Sequence, residues 1–150
     1  RLAEIGARLL LRTLEGIDTL PRIPQDHAKA TLAPRLKKED GWLRPAEPAR
    51  DLVNRVRGCN PWPGATLITP AGRLLIWRAT ALPAVTAPSG TLVPCSPSSP
   101  QGPGTLAITT GDGLLLPLEV QPENRKAMRW ADFLRGARLA PGARVGEPTS

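Results

Sequence analysis

Arg35, Lys37, Lys38 and Arg44 lie close together in a stretch bounded by Pro34 and Pro45. Cations on an extended segment can replace the counterions of a phosphate backbone, so they suit a nucleic acid or another polyanion. The whole chain carries a formal charge of +7 and a pI near 10.7. Two readings of that excess stand side by side. One is a polyanionic partner. The other is a GC-rich genome that favours arginine, since only four of the twenty cations are lysine. The distribution favours the first. Residues 1–33 carry a net +1, residues 34–60 +3, residues 61–121 zero and residues 122–150 +3. A uniform arginine bias would not leave the middle of the chain neutral. Any such cluster is also what an ordinary solvated face looks like.

Bond-making chemistry finds few groups to work with. A nucleophile needs a base beside it, and paired carboxylates need separated pKa values. His27 is the single histidine, in Gln25-Asp26-His27 with no serine nearby, and reads as a polar surface residue. Asp112 stands between Gly111 and Gly113 and reads as a hairpin turn, not an acid. Cys59 and Cys95 lack metal-ligand spacing and read as reduced, buried or half-buried small residues. There is no phosphate-cradling glycine loop, no secretory h-region and no run of 18 apolar residues. The segment is therefore expected to hold no catalytic residue and no metal. Its aromatics are four tryptophans and Phe133, with no tyrosine. That scarcity favours grip on a backbone over readout of unpaired bases, with Trp62 and Trp77 expected in the core.

The elements that must position the cations follow from periodicity. Leu2, Ile5, Leu9, Leu10, Leu14 and Ile17 recur at helical spacing, which predicts an amphipathic helix over residues 2–17. Pro21, Pro24 and Pro34 then break any long element, so its apolar stripe is expected to pack on residues preceding Arg1, in a longer protein of which this chain is the downstream part. Residues 21–44 read as an extended connector. Pro45 is expected to open a second helix, with Ala49, Leu52, Val53 and Val56 inward and Gly58 as its stop. Asn60-Pro61-Trp62-Pro63-Gly64-Ala65 follows, a stiff corner between helix and strand that presents one indole in a defined direction. Residues 65–69 and 74–80 read as a hairpin, 90–94 as a third strand, and 105–110 and 114–120 as a hairpin across Gly111-Asp112-Gly113. Pro117 places the last strand at an edge or a bulge. Residues 96–104 read as a mobile polar loop. A final helix is expected from Arg129 to Arg135, burying Phe133 and Leu134 and stopping at Gly136. The fold class is thus mainly β with flanking helices, a small five- to six-stranded barrel of the oligonucleotide/oligosaccharide-binding (OB) type.

Taken in order, these motifs resemble a known family. Pro24-Gln25-Asp26, Ala30-Thr31-Leu32-Ala33-Pro34-Arg35-Leu36 and Lys38-Glu39-Asp40-Gly41 precede the helix Leu52-Val53-Asn54-Arg55-Val56-Arg57 and the Asn60–Ala65 corner. Leu75-Ile76-Trp77-Arg78-Ala79, Gly111-Asp112-Gly113, Leu118-Glu119-Val120-Gln121-Pro122, Lys126-Ala127-Met128 and Ala131-Asp132-Phe133-Leu134-Arg135-Gly136 follow. The set resembles the C-terminal half of the methionyl-tRNA formyltransferases from about Arg1 to Gly142. Leu32 stands where that family has an aromatic, and the stretch from Gly41 to Pro45 is shorter than usual, with Trp42 in place of an Ile-Asp-Trp.

The resemblance implies formyl transfer from 10-formyltetrahydrofolate to the amino group of methionine on initiator tRNA. It places the catalytic residues and the formyl donor in an N-terminal Rossmann-like domain, and the fragment alone is expected to be inactive. Residues 1–33 would be that domain's last helix and connector, residues 34–141 the tRNA-holding OB-like domain and residues 142–150 a disordered tail. Arg35, Lys37, Lys38, Arg125 and Lys126 would face the tRNA. A cytoplasmic, bacterial, monomeric protein with no membrane partner is the accompanying expectation. The alternatives are a sugar-nucleotide formyltransferase sharing the corner, against which Lys126-Ala127-Met128 argues, and a non-catalytic RNA-binding OB-like module.

Overall fold

The computed structural model describes residues 1–83, 85–95, 102 and 104–147. Most of the 96–104 loop lies outside the described residues. The chain divides into two compact units, Arg1–Pro34 and Arg35–Ser150.

In the first unit, helix α1 spans Leu2–Glu15. Its leucines and isoleucines, Leu2, Ile5, Leu9, Leu10, Leu11 and Leu14 among them, are exposed. A 3₁₀ turn, His27–Lys29, follows, with Asp26 accepting from the Ala28 amide at 3.0 Å and pairing with Lys29 at 3.4 Å. His27 is exposed on that turn.

The second unit is built on a six-stranded antiparallel sheet. Its strands are β1 (Ala65–Thr69), β2 (Gly72–Leu82), β3 (Leu92–Pro94), β4 (Leu106–Thr109), β5 (Leu114–Pro122) and β6 (Met128–Arg129), in the order β1-β2-β5-β4-β3 with β6 on β5. The β1–β2 hairpin turns at Pro70-Ala71, with Thr69 facing Gly72. The β2–β5 ladder slips between Ile76 and Ala79, so Pro117, opposite Ala79, sits beside a bulge. A residue with no amide hydrogen is tolerated in a central strand at such a place. Inward residues of all the long strands, with Leu43, Leu52, Val56, Trp130 and Phe133, make one core. Trp130 is fully buried, stacks on Phe133 with ring centroids 5.5 Å apart and donates Nε1–H to the Leu106 carbonyl at 2.6 Å.

Three local expectations need correction. Helix α2 spans Ala49–Gly58, so Pro45 does not open it. Pro48 disfavours helical geometry at Glu47, and the helix can begin only after it. Helix α3 spans Trp130–Ala137 and runs through Gly136; the left-handed residue that ends it is Arg138, with φ 51°. Residues 142–147 are not a disordered tail. Gly146 bridges Ile68 on β1, and Arg144 bridges Thr91 next to β3. Residues only two apart can reach both edges of a sheet only when that sheet is curled and its edges lie about two strand spacings apart, roughly 10 Å. The segment thereby closes the barrel seam, and Val145 is buried beneath it. Residues 148–150 lie outside the described residues.

Asp112 has a second task besides its turn. Pro48 supplies no capping side chain to α2, and Asp112 Oδ1 instead accepts from the Ala49 amide at 2.7 Å. The Gly111 amide donates to the Glu47 carbonyl at 3.0 Å, and a side chain at Gly111 would meet the Ala46 carbonyl oxygen at 2.3 Å. Asp112→Ala is expected to lower stability by about 1 kcal/mol, with Asp112→Asn retaining most of it. Urea denaturation of the two variants reads this, and equal midpoints for Asp112→Ala and the parent would remove the cap from the account.

Candidate nucleic-acid interface

The linker cations stand on a turn that is fastened at several points. Lys38–Gly41 forms a 3₁₀ turn, and the Lys37 amide donates to Asp40 Oδ2 at 2.6 Å. The Asp40 carbonyl accepts from Cys59 Sγ at 3.5 Å, and the Trp42 carbonyl accepts from Arg55 Nη1 at 2.8 Å. Arg55 is itself held by Glu47 at 2.9 Å. Burial pushes the Cys59 thiol above its ordinary range, against the pull of the Arg55 guanidinium, which keeps it protonated as a donor. Gly41 presses directly on the corner: a Cβ there would lie 2.1 Å from the Gly64 carbonyl oxygen. Asp40 thus spends its carboxylate on backbone and leaves Lys37 and Lys38 to solvent.

The corner is equally constrained. Both Asn60-Pro61 and Trp62-Pro63 are cis, Gly64 has φ 86°, and a Cβ on Gly64 would meet Leu75 Cδ1 at 2.6 Å. This geometry leaves Trp62 57% exposed, which corrects the expectation that it is core. The prolines and Gly64 turn the backbone so that the indole projects outward instead of into the barrel. Trp77 is half-buried.

From the corner a line of side-chain hydrogen bonds crosses the sheet. Asn60 Nδ2 donates to the Trp77 carbonyl at 2.9 Å, Trp77 Nε1 to Gln121 Oε1 at 2.9 Å, and Gln121 Nε2 to the Arg125 carbonyl at 2.8 Å. The last bond holds the β5–β6 turn, where Asn124 is left-handed at φ 58° and Arg125 and Lys126 are exposed. Beside the corner lies an open groove of about 270 Å³ lined by Pro63, Thr66, Arg73, Gln121, Glu123 and Asn124, with Arg73 set next to Glu123, one step beyond the Leu74–Pro122 pair. Gly41 of the linker turn lies against Pro63, while Arg125 follows Asn124 in the chain and lines a neighbouring pocket with Met128, Asp132 and Phe133.

Arg35, Lys37, Lys38, Arg125 and Lys126 are all exposed, and none of them lines this groove. Among the described residues none of the five joins an ion pair, whereas Arg44 pairs with Glu47 and Glu147, Arg55 with Glu47, and Arg135 with Asp132. Arg44 is thus spent within the fold. Arg73 and the Asn60–Trp77–Gln121 line were not singled out from sequence. The one available signal was that Arg73 directly follows a turn glycine in an otherwise neutral stretch. Among the described residues no group of three or more histidine, cysteine or acidic side chains could hold a metal ion, and no helix is long and apolar enough to cross a membrane.

Comparison with known proteins shows the family of the chain. The family described as formyl transferase, C-terminal domain, matches residues 35–138. Proteins named methionyl-tRNA formyltransferase match almost the whole chain. That of Solibacter usitatus is 42% identical over 149 residues, covering 98% of the chain and 46% of its own length. Those of Desulforamulus reducens and Thermus thermophilus are 38% and 39% identical over 97% and 98% of the chain, and 45% and 46% of their own lengths. The chain spans about half the length of these relatives. Because the matched region holds both cation clusters, the corner, the curled sheet and α3, the chain belongs to the formyl transferase C-terminal domain family.

Proposed function

We propose that this chain is the tRNA-holding part of a methionyl-tRNA formyltransferase. The observation that carries this reading is the pair of exposed cation clusters, Arg35, Lys37 and Lys38 in the linker and Arg125 and Lys126 before α3, which join no ion pair among the described residues. Phosphate contacts of this kind set the register of a nucleic acid without reading its bases. Their contribution to formyl transfer is positional: they hold the charged tRNA so that its methionyl amine stays near the formyl donor.

The described residues do not fit the donor, 10-formyltetrahydrofolate. The groove is open and shallow, and the Gln121 amide within it is already committed to Trp77 and Arg125. Donor binding and bond-making are therefore assigned to the rest of a longer protein, as the relatives' length supports. A cytoplasmic location belongs to the same reading. A sugar-nucleotide substrate is disfavoured, because a small ligand needs neither two separated basic clusters nor a track between them.

In the whole protein, Arg35→Ala with Lys38→Ala is expected to raise KM for methionyl-tRNA about tenfold, two lost phosphate contacts at roughly 0.7 kcal/mol each, with the KM for the formyl donor unchanged. Steady-state kinetics with each substrate varied in turn reads the split. A fall in donor affinity at constant tRNA KM would sink the assignment.

A further inference from the structure

Arg73 is the one cation among the residues that line the groove. It is exposed, joins no ion pair among the described residues, and is one of two cations in residues 61–121. The Gly72–Arg73 end of β2 is fixed by the β1 ladder, where Arg73 faces Ile68 and Gly72 faces Thr69. Trp62 directly precedes Pro63, which lines the groove, and is more than half exposed. A tryptophan left in water on so constrained a corner offers a flat face to a ribose or base. Glu123, set next to Arg73 one step beyond the Leu74–Pro122 pair, is the one anion among the lining residues and opposes a phosphate there.

We propose that this groove is a third RNA contact: Arg73 pairs with a backbone phosphate, Trp62 packs on the adjoining nucleotide, and the linker and β5–β6 clusters become one continuous track. This rests on the RNA-holding reading above and goes beyond it in naming two further contact residues and their different chemistries. An arginine–phosphate contact releases counterions and is salt-dependent, whereas stacking on an indole is not.

The test measures Kd for charged initiator tRNA on the whole protein across a salt series, with melting curves showing that each variant is folded. Arg73→Ala is expected to weaken binding about fivefold at 0.15 M salt and to reduce the slope of log Kd against log salt by about 1. Trp62→Leu is expected to weaken binding about tenfold at every salt concentration with the slope unchanged. Glu123→Gln is expected to tighten binding. Unchanged Kd and slope in Arg73→Ala, alongside weakened binding in Arg35→Ala/Lys38→Ala, overturns the groove and spares the wider reading. Unchanged binding in both overturns the two together. Unchanged binding in Trp62→Leu removes the indole from the contact, and weaker binding in Glu123→Gln shows that the groove does not take an anion.

Discussion

Ending the chain at Pro141 is expected to lower its melting temperature by about 15 °C, roughly 4 kcal/mol at about 4 °C per kcal/mol for a domain of this size. The removed segment holds the barrel seam. Ile68 and Gly146 exchange amide-to-carbonyl bonds at 2.8 and 2.9 Å. Val145 donates to the Gly90 carbonyl at 2.7 Å, Leu92 to Ala143 at 2.9 Å and Gly142 to Leu92 at 2.8 Å. Each net bond contributes about 0.5–1.5 kcal/mol, and burying Val145 adds about 1.5 kcal/mol. The loss is therefore substantial against a typical total of 5–15 kcal/mol. A second consequence is separate from stability. The truncated chain presents β1 and β3 as unpaired edges, so it should also aggregate in a concentration-dependent way. Thermal unfolding with light scattering reads both. A melting temperature within 2 °C of the parent would mean that the segment lies on the barrel without holding it. Val145→Ala keeps the backbone bonds and serves as the control, with an expected loss of about 1 kcal/mol.

Gly41→Ala is expected to cost about 3 kcal/mol and to weaken RNA binding as strongly as removing the linker charges, although it removes none. The reason is space, not backbone angle. A methyl at Gly41 would lie 2.1 Å from the Gly64 carbonyl oxygen and 3.2 Å from Pro63 Cγ. Gly64 cannot retreat, because its φ of 86° and its contact with Leu75 fix it. The linker turn must lift instead, loosening the Cys59–Asp40 and Arg55–Trp42 bonds that fasten the turn carrying Lys37 and Lys38. Melting curves and tRNA Kd measured on one preparation test this. A variant destabilised with unchanged RNA affinity would show that the position of the turn does not matter for binding. One with parent-like stability would show that the linker is free to move off the corner.

Local rules carried the reading of this chain a long way. The period of Leu2, Ile5, Leu9 and Leu14 predicted α1, and the turn residues Gly72 and Gly111-Asp112-Gly113 marked both hairpins, because helix period and turn chemistry depend on neighbours in the chain. Pro117 announced its own bulge for the same reason. The basic linker and the Arg125-Lys126 turn could likewise be read from charge order and motif position.

Contacts between residues far apart in the chain were not legible in this way. Whether Trp62 points in or out depends on a corner whose shape is set by Leu75 and Gly41 together. Asp112 caps a helix that begins 63 residues earlier. Arg44 is a free cation in sequence and is neutralised by Glu147 only once the last segment folds back. The resemblance ended near Gly142 and left residues 142–150 as an expected tail. Residues 142–147 are ordered by two sheet edges whose amide and carbonyl groups at Ile68 and beside Leu92 they satisfy. The sequence by itself determined which elements exist and where the charge is concentrated. Only the tertiary structure decided which edges meet, which cations stay unpaired and which aromatic faces water, because those outcomes depend on the packing of strands that the chain brings together from distant positions.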